Sequence, residues 1–443
     1  MPWQGKRSCV PLSPDLCCAR ASRWATIHNA VAGPFGESSC LTRWNGIPLL
    51  SLPEGSVHYQ PVLLLEYMYH GQRVFVKGEG TFKRNRCGGG LPEVMTLREQ
   101  FEKREANFMS PYGCLSAQSR GRVKPEPECS IRTAFQVDKD RILFSNAFRR
   151  LKHKTQVFLN PSGDEYRTRL THTLEVAQIA RTIGRAMFLN EDLAEAIALG
   201  HDLGHTPFGH GGELVLKEIF SDTFSHPNQG VRVVQLLENG GLGLNLTFEV
   251  RDGIAKHSKG YGKIIPDDPR ELPSTMEGRV VRVADIMAYL NHDLDDAIRS
   301  GVICEADIPD ECVRVLGTSP DERITTMMAD LIAQTSPREG QLVLNMSDTV
   351  FGAMSELRQF LYDHVYRSPM VHNEFIKAKK IMSELYAHLL TNETLLAVEL
   401  QKMRLPDNNH SSKERMVCDL LACMTDRYAL SLYERTFFPA QMG

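Results

Sequence analysis

Sixteen residues, Ala198 to Glu213, constrain this chain more than any other stretch. They read Ala-Leu-Gly-His-Asp-Leu-Gly-His-Thr-Pro-Phe-Gly-His-Gly-Gly-Glu and carry His201, Asp202, His205, His210 and Glu213 among five glycines. Few structural segments need that many titratable groups so close together, whereas metal-dependent hydrolysis does. His201 and Asp202 are adjacent, and neighbours on a helix point about 100° apart. Both reach one ion only near a helix end, or where the ion lies over their shared edge. The sequence supplies such an end. Asn190 reads as an N-cap, Glu191 and Asp192 as first-turn acids, and Ala194, Ala196, Ile197, Ala198 and Leu199 as the helix body. Gly200 and Gly204 loosen the last turn, and Pro207 stops it. An imidazole nitrogen with a carboxylate oxygen suits Mn, Fe, Ni, Co or Zn, and Mg less well.

Two ligands do not make a site, and two further candidates lie elsewhere. His172 opens a helical run in which Leu174, Ala177, Ala180, Ile183 and Met187 recur at helical spacing. Val280 to Asp296 reads as a largely buried helix. Asp285, Tyr289 and Asp293 share one of its faces at i, i+4 and i+8. A carboxylate in so apolar a run costs several kcal/mol unless it meets a cation. His172, His201, Asp202 and Asp285 thus form a four-ligand set with room for water and substrate. A His-Asp pair alone means little: a second one, His292-Asp293, reads as helix surface or as a substrate contact.

The full spacing, H…HDxGHxPFGHxGE…D, is far more specific. It resembles the HD-domain deoxynucleotide triphosphohydrolases, in particular the bacterial deoxyguanosinetriphosphate triphosphohydrolase-like proteins. The likeness extends from Met95 to the C-terminus. It includes Asp140 to Phe158, Tyr166 to Val176, the central motif and Met424 to Tyr428. Val137, where relatives tend to carry a basic residue, and Cys423, where Gly is usual, depart from the pattern without touching the metal set.

The resemblance implies an all-α fold of the HD (HD/PDEase-like) type with additional C-terminal helices. A catalytic core is expected over 95–300, and over 301–443 a helical region that packs on it and builds oligomer contacts. Residues 1–94 do not match. They hold all three tryptophans and five cysteines, lack helical periodicity, and contain two strand-like runs, Pro61–Tyr69 and Gln72–Lys77, that read as one hairpin. The composition changes abruptly at Met95, which is the expected native start, with 1–94 disordered or outside the native protein. A zinc site at Cys9, Cys17, Cys18 and Cys40 is disfavoured, because no C-x₂-C pair is present.

A net charge of −3 gives no drive toward nucleic acid or membrane, and no apolar run approaches a membrane span. Eleven irregularly spaced cysteines without a signal peptide fit reduced thiols in a cytoplasm.

Elsewhere the chain reads as helices and polar joints. Leu97 to Phe108 is one helix. Arg120, Arg122 and Lys124 lie in a loop read as solvated. Phe135, Ile142, Phe144, Phe148 and Leu151 read as a packed face flanked by Arg141, Arg149, Arg150, Lys152 and Lys154, cations suited to a polyphosphate cleft or to surface ion pairs. Asn160 to Asp164 is a turn, and Asp252 to Pro273, with His257, is a helix end plus a mobile loop near the site. Later helices are expected over Pro320–Thr335, Met346–His364, Asn373–Leu390, Glu393–Met403 and Ser411–Tyr433, with no chemistry-bearing cluster. Arg367, Lys377, Lys379 and Lys380 read as a solvated face rather than a nucleic-acid patch.

By resemblance the reaction is hydrolysis of a deoxynucleoside triphosphate to deoxynucleoside and inorganic triphosphate, with Mn, Mg, Co, Ni, Fe or Zn as cofactor. His210 and Glu213 carry over as the acid/base pair, and His205 and His226 as phosphate contacts or proton donors. Gln156 carries over as a nucleoside contact, Arg169 as a phosphate contact, and Tyr289 and Asp293 as contacts near phosphate and the sugar 3′-hydroxyl. A homo-oligomer is expected, and a nucleotide or single-stranded nucleic-acid effector remains open. Two other readings stand beside this one: an HD phosphohydrolase of another phosphoester, such as a nucleoside monophosphate or cyclic dinucleotide, and a non-catalytic nucleotide sensor or nucleic-acid binder.

Overall fold

A computed structural model describes residues 67–69, 72–74, 95–158, 166–258, 263–266, 268–407 and 411–439. The chain divides into two compact units, Met1–Gly90 and Leu91–Gly443. In the first, β1 (Tyr67–Tyr69) and β2 (Gln72–Val74) pair antiparallel with Tyr67 opposite Val74, inside the two runs read as a hairpin. The cysteines before Cys114 and the Asn160–Asp164 turn lie outside the described residues.

Among its described residues the second unit is all-α apart from one small hairpin. Its first part runs α1 (Leu97–Phe108), α2 (Ala134–Leu143), α3 (Asn146–Arg150), α4 (Arg169–Ala186), α5 (Glu191–Gly200), α6 (Gly209–Ile219), α7 (His226–Arg232), α8 (Phe248–Lys256) and α9 (Met276–Arg299). There follow α10 (Asp310–Leu316), α11 (Pro320–Gln334), the hairpin β3 (Ser336–Arg338) and β4 (Gln341–Val343), α12 (Asp348–Leu361), α13 (Pro369–Thr391), α14 (Glu393–Lys402), α15 (Lys413–Cys423) and α16 (Asp426–Phe437).

α5 lies at the centre. Asn190 caps it through the Leu193 amide, and Glu191 and Asp192 face its positive end, as its sequence requires. Beyond its first turn, Leu193, Ala194, Ala196, Ile197, Ala198, Leu199 and Gly200 are all buried. A helix apolar on nearly every side belongs inside a core, and α5 packs on α2, α4, α8 and α9. α9 is similar, buried from Met276 through Ala297 on most of its surface and capped by Thr275. Its Leu290 and Leu294 join the same continuous apolar cluster as Ile197 of α5 and Ile183 of α4. The later helices are part of the same unit, with α12 against α9 and α13 against α6.

Several local expectations give way to specific contacts. Phe144 is 72% exposed, because α2 ends at Leu143 and Phe144 is its cap. Arg120 and Arg122 are not a solvated pair: Arg120 stacks 3.6 Å over the Phe248 ring, and Arg122 is paired with the fully buried Asp138. The helix expected over Ser411–Tyr433 breaks at Met424–Thr425, where Thr425 accepts from the Tyr428 amide and starts α16. The β3–β4 hairpin turns on Glu339 and Gly340, both at positive φ (50° and 78°), the geometry of a two-residue hairpin turn.

Candidate active site

Three helices bring the four proposed metal ligands together. His172 lies one turn into α4, whose start is fixed by the Thr168 cap. His201 is the C-cap of α5, and Asp202 follows it into the turn. Asp285 comes from the middle of α9. His172 Nε2 stands 3.3 Å from His201 Nε2, 3.2 Å from Asp285 Oδ1 and 3.7 Å from Asp202 Oδ2. His201 Nε2 stands 3.4 Å from Asp202 Oδ1 and 3.9 Å from Asp285 Oδ1. Ligand atoms about 2.0–2.2 Å from one ion stand about 3.0–3.5 Å from one another, close to these spacings.

The chemistry of the donors fits a cation. His201 Nδ1 donates to the Ala198 carbonyl at 2.6 Å, so its Nε2 carries a lone pair turned inward. His172 Nδ1 meets His292 Nε2 at 2.8 Å, a contact that lets Nδ1 carry the proton and leaves Nε2 as ligand. Burial holds His172 below the usual imidazole range despite Asp285 and Asp202. Burial pushes the two carboxyls up, but their neighbours win. His201, His205 and Arg169 keep Asp202 well below the usual carboxylate range, and His172, His201 and His257 do the same for Asp285. A neutral His172 with ionised Asp202 and Asp285 are protonation states that a divalent ion requires.

His292 is thus not at the surface. It is fully buried, with Nδ1 2.8 Å from Asp293 Oδ1, and props His172. Its neighbours Asp293, Asp295 and Asp296 give the stretch a polar look in sequence. Tyr366 and Arg167 cover that face, Tyr366 Oη donating to Asp293 Oδ2 at 2.6 Å and Arg167 pairing with Asp295 and Asp296.

A second group of side chains adjoins the first. His205 Nε2 lies 3.1 Å from Asp202 Oδ1, and its ring stacks on that of His226 with centroids 3.9 Å apart. Glu213, on α6, accepts from both the backbone amide and Nδ1 of His226, the latter at 2.8 Å. His210 Nδ1 is 3.7 Å from Glu213 Oε2, and the His210 side chain is 70% exposed. Glu213 therefore grips His226 and only approaches His210. Against burial, His210 and His226 hold the Glu213 carboxyl far below its ordinary range. Burial, together with Arg169 and His226, keeps His205 well below the usual imidazole range. His257 completes the group, with Nε2 3.1 Å from His226 Nε2. It is fully buried and pushed down to about 3 by burial and by His201 and His226. The sequence placed His257 in a stretch read as a helix end plus a mobile loop near the site, without a role; it is the C-cap of α8, with Nδ1 bonded to the Ile254 carbonyl.

One wall carries the candidate substrate contacts. Arg169 is 1% exposed, and its Nη1 donates to Asp202 Oδ2 at 2.8 Å while Nε and Nη2 have no hydrogen-bond partner among the described residues. Gln156 Oε1 is likewise buried and without a partner among the described residues. Gly209, at φ 60°, leaves space between them: a Cβ there would stand 3.0 Å from the Gln156 carbonyl and 3.5 Å from Arg169 Nη2. The preceding Phe208 also adopts a left-handed conformation, φ 62°, and Asp426 holds it. The Asp426 carboxylate accepts from the Phe208 amide at 2.8 Å and from the Thr155 amide at 2.9 Å, so the Met424–Tyr428 stretch fastens two site loops. Tyr289 is half-buried one turn beyond Asp285 on α9.

Of the five cations flanking α3, Arg141, Arg150 and Lys154 take structural partners. Arg141 bonds Glu126 and the Leu244 and Asn245 carbonyls, Arg150 bonds Glu238, and Arg149 and Lys152 are exposed. Lys154 is buried against the His205 and Ala422 carbonyls, and burial pushes it down to about 7.

An all-helical core that gathers a His, a His-Asp pair and a later Asp around one point defines an HD-type phosphohydrolase. Residues 169–290 match the HD domain, and residues 344–435 match the phosphohydrolase-associated domain. A deoxyguanosinetriphosphate triphosphohydrolase-like protein of Desulfatibacillum aliphaticivorans is 61% identical over 351 residues, 79% of this chain and 100% of that protein. Similarly named proteins of Caldanaerobacter subterraneus and Clostridium tetani are 49% and 42% identical, covering 78% of this chain and 97% and 98% of their own lengths. The chain belongs to the family of deoxyguanosinetriphosphate triphosphohydrolase-like proteins.

Proposed function

We propose that the chain hydrolyses deoxynucleoside triphosphates, dGTP-like ones among them, to deoxynucleoside and inorganic triphosphate with a divalent metal at His172, His201, Asp202 and Asp285. The observation that carries this reading is Arg169. A buried guanidinium with two unpartnered nitrogens beside a metal-type donor set is suited to phosphate oxygens and to little else.

The ion would supply Lewis acidity at a phosphoryl oxygen and lower the pKa of a water molecule. Arg169 binds and orients the phosphate beside it. Gln156, through its unpartnered Oε1, accepts from the nucleoside. The 5′ oxygen leaves as a poor alkoxide and needs a proton. His210 and Glu213 form the acid/base pair, with the exposed His210 ring able to meet substrate. His205 and His226, stacked and tied to Asp202 and Glu213, contact phosphate or donate a proton. Tyr289 and Asp293, the latter held by Tyr366, serve as the contacts near phosphate and the sugar 3′-hydroxyl. A homo-oligomer in the cytoplasm, built through the later helices, completes the reading.

Incubation of the purified protein with each dNTP and Mn or Mg, with products resolved by chromatography, tests it. Deoxynucleoside and triphosphate in equal amounts, lost on chelation, are expected. A mono- or diphosphate product, or no turnover with all four dNTPs mixed, would overturn it.

A further inference from the structure

A lysine inside a protein core needs a reason. Lys154 is 2% exposed, and its Nζ donates to the His205 and Ala422 carbonyls, the latter at 2.9 Å. Among the described residues no carboxylate pairs with it directly; Asp426 favours its charge only from a distance, and Arg150 and Arg169 oppose it. The carbonyls explain how the charge is tolerated. Ala422 is the penultimate residue of α15, so its oxygen is one of the last four that a helix leaves without an internal partner, at the negative end of the dipole. His205 follows the end of α5.

Burying an ammonium without a carboxylate partner is costly, and a core that only had to close over this point would do so with an apolar side chain. What the lysine secures is His205. The His205 amide donates to the Asp202 carbonyl at 3.1 Å, so with Lys154 on its carbonyl the residue is pinned on both sides. On that fixed backbone the ring stacks on His226 and sets Nε2 3.1 Å from Asp202 Oδ1. Its Nδ1 is buried without a hydrogen-bond partner among the described residues. The main chain of Lys154 reaches the other wall of the pocket, where its carbonyl accepts from the Arg169 amide at 3.1 Å. One residue thus spans from the candidate phosphate contact to His205.

We infer that Lys154 is a positioning residue for hydrolysis, its ammonium holding the His205 carbonyl so that the ring keeps Nε2 on Asp202 and leaves Nδ1 for the substrate. The sequence counted Lys154 among cations suited to a polyphosphate cleft. With Nζ committed to two carbonyls, it acts on phosphate only through His205. Lysine suits this task, because a compact head with three donors serves two carbonyls that converge from positions 51 and 268 residues away.

The inference rests on the hydrolytic reading above, and one arm of its test needs no turnover. The full chain and its Lys154→Met variant, which keeps the length and drops the donors, are treated with diethyl pyrocarbonate, and labelled histidines are mapped by peptide mass spectrometry. His205 should label about tenfold faster in the variant, freed by local opening. His172 and His201, held by His292 and the Ala198 carbonyl, should stay as slow as in the wild type. With dNTP and Mn, kcat should fall on the order of 100-fold with KM held, the pattern of a group felt only in the transition state. Equal labelling of His205 in both proteins overturns the inference. Faster labelling of all three histidines does so too, since a merely structural lysine loosens the whole pocket. Undiminished kcat with His205 released also overturns it. A wild type without turnover sinks the hydrolytic reading instead and leaves the labelling to decide whether Lys154 holds His205. Should Lys154→Met not fold, Lys154→Gln, with a shorter donor, goes through the same two arms.

Discussion

Gly204→Ala tests how closely the central motif must pack. A Cβ at Gly204 would lie 2.1 Å from the Gly230 amide nitrogen, 2.2 Å from the His226 carbonyl oxygen and 2.7 Å from Gly230 Cα. All three are backbone atoms of α7, so no side chain can rotate away. To restore contact the two segments must part by about 1 Å, in a core with little slack. The displaced helix starts at His226, while Gly204 lies between Asp202 and His205. The substitution therefore separates the halves of the site. Overpacking of this kind costs about 1–3 kcal/mol, and about 1 Å of misplacement costs on the order of 100-fold in turnover. The assay pairs thermal unfolding with dNTP hydrolysis. Gly184→Ala is the control, since nothing lies within 4 Å of its Cβ and α4 gains about 0.5–1 kcal/mol from alanine. Wild-type melting and turnover in Gly204→Ala would refute the packing argument.

Further tests address separate parts of the molecule. Arg122→Ala strands Asp138, which is fully buried, and a loss of about 3–5 kcal/mol in denaturant unfolding is expected; a loss under about 1 kcal/mol contradicts it. Mn at a hundred times its Kd should stabilise the fold by about 2.7 kcal/mol over chelated protein, and an unchanged melt counts against a metal site. Tyr366→Phe removes the 2.6 Å donor to the buried Asp293 carboxylate and should lower stability by about 1–3 kcal/mol by the same unfolding assay, with no change being the contrary result. Amides of Ile131 and Arg132 lower the Cys129 thiol to about 7, so its alkylation rate should rise through pH 7 rather than 9, while Cys312 and Cys418, buried and pushed up to about 12, stay slow. Mass spectrometry of the labelled peptides checks that order.

The sequence was most informative where a residue's role follows from its neighbours in the chain. The limits of α1, the Asn190 cap and the buried character of α9 are all local patterns, and each has its counterpart in the fold. The motif also singled out His172, His201, Asp202 and Asp285, which the helices gather to within hydrogen-bond-like spacings. What escaped was set by tertiary contact. His257 lies in a polar run and gains meaning only because α8 ends beside α5. His292 stands among acids that Tyr366 and Arg167, far away in sequence, cover. Phe144 has the right residue type for a core, but the helix stops one residue too soon. Arg120 and Arg122 look solvated until Phe248 and Asp138 arrive.

Asp426 carries a consequence for synthesis. It fastens Phe208 across 218 residues and Thr155 across 271. A ribosome makes the chain in the opposite order, so the central turn and the Gln156 loop emerge long before the residue that holds them. A nascent chain passes through most of its translation with the pocket walls untied. The ties between Asp426 and the two loops form only once α16 docks.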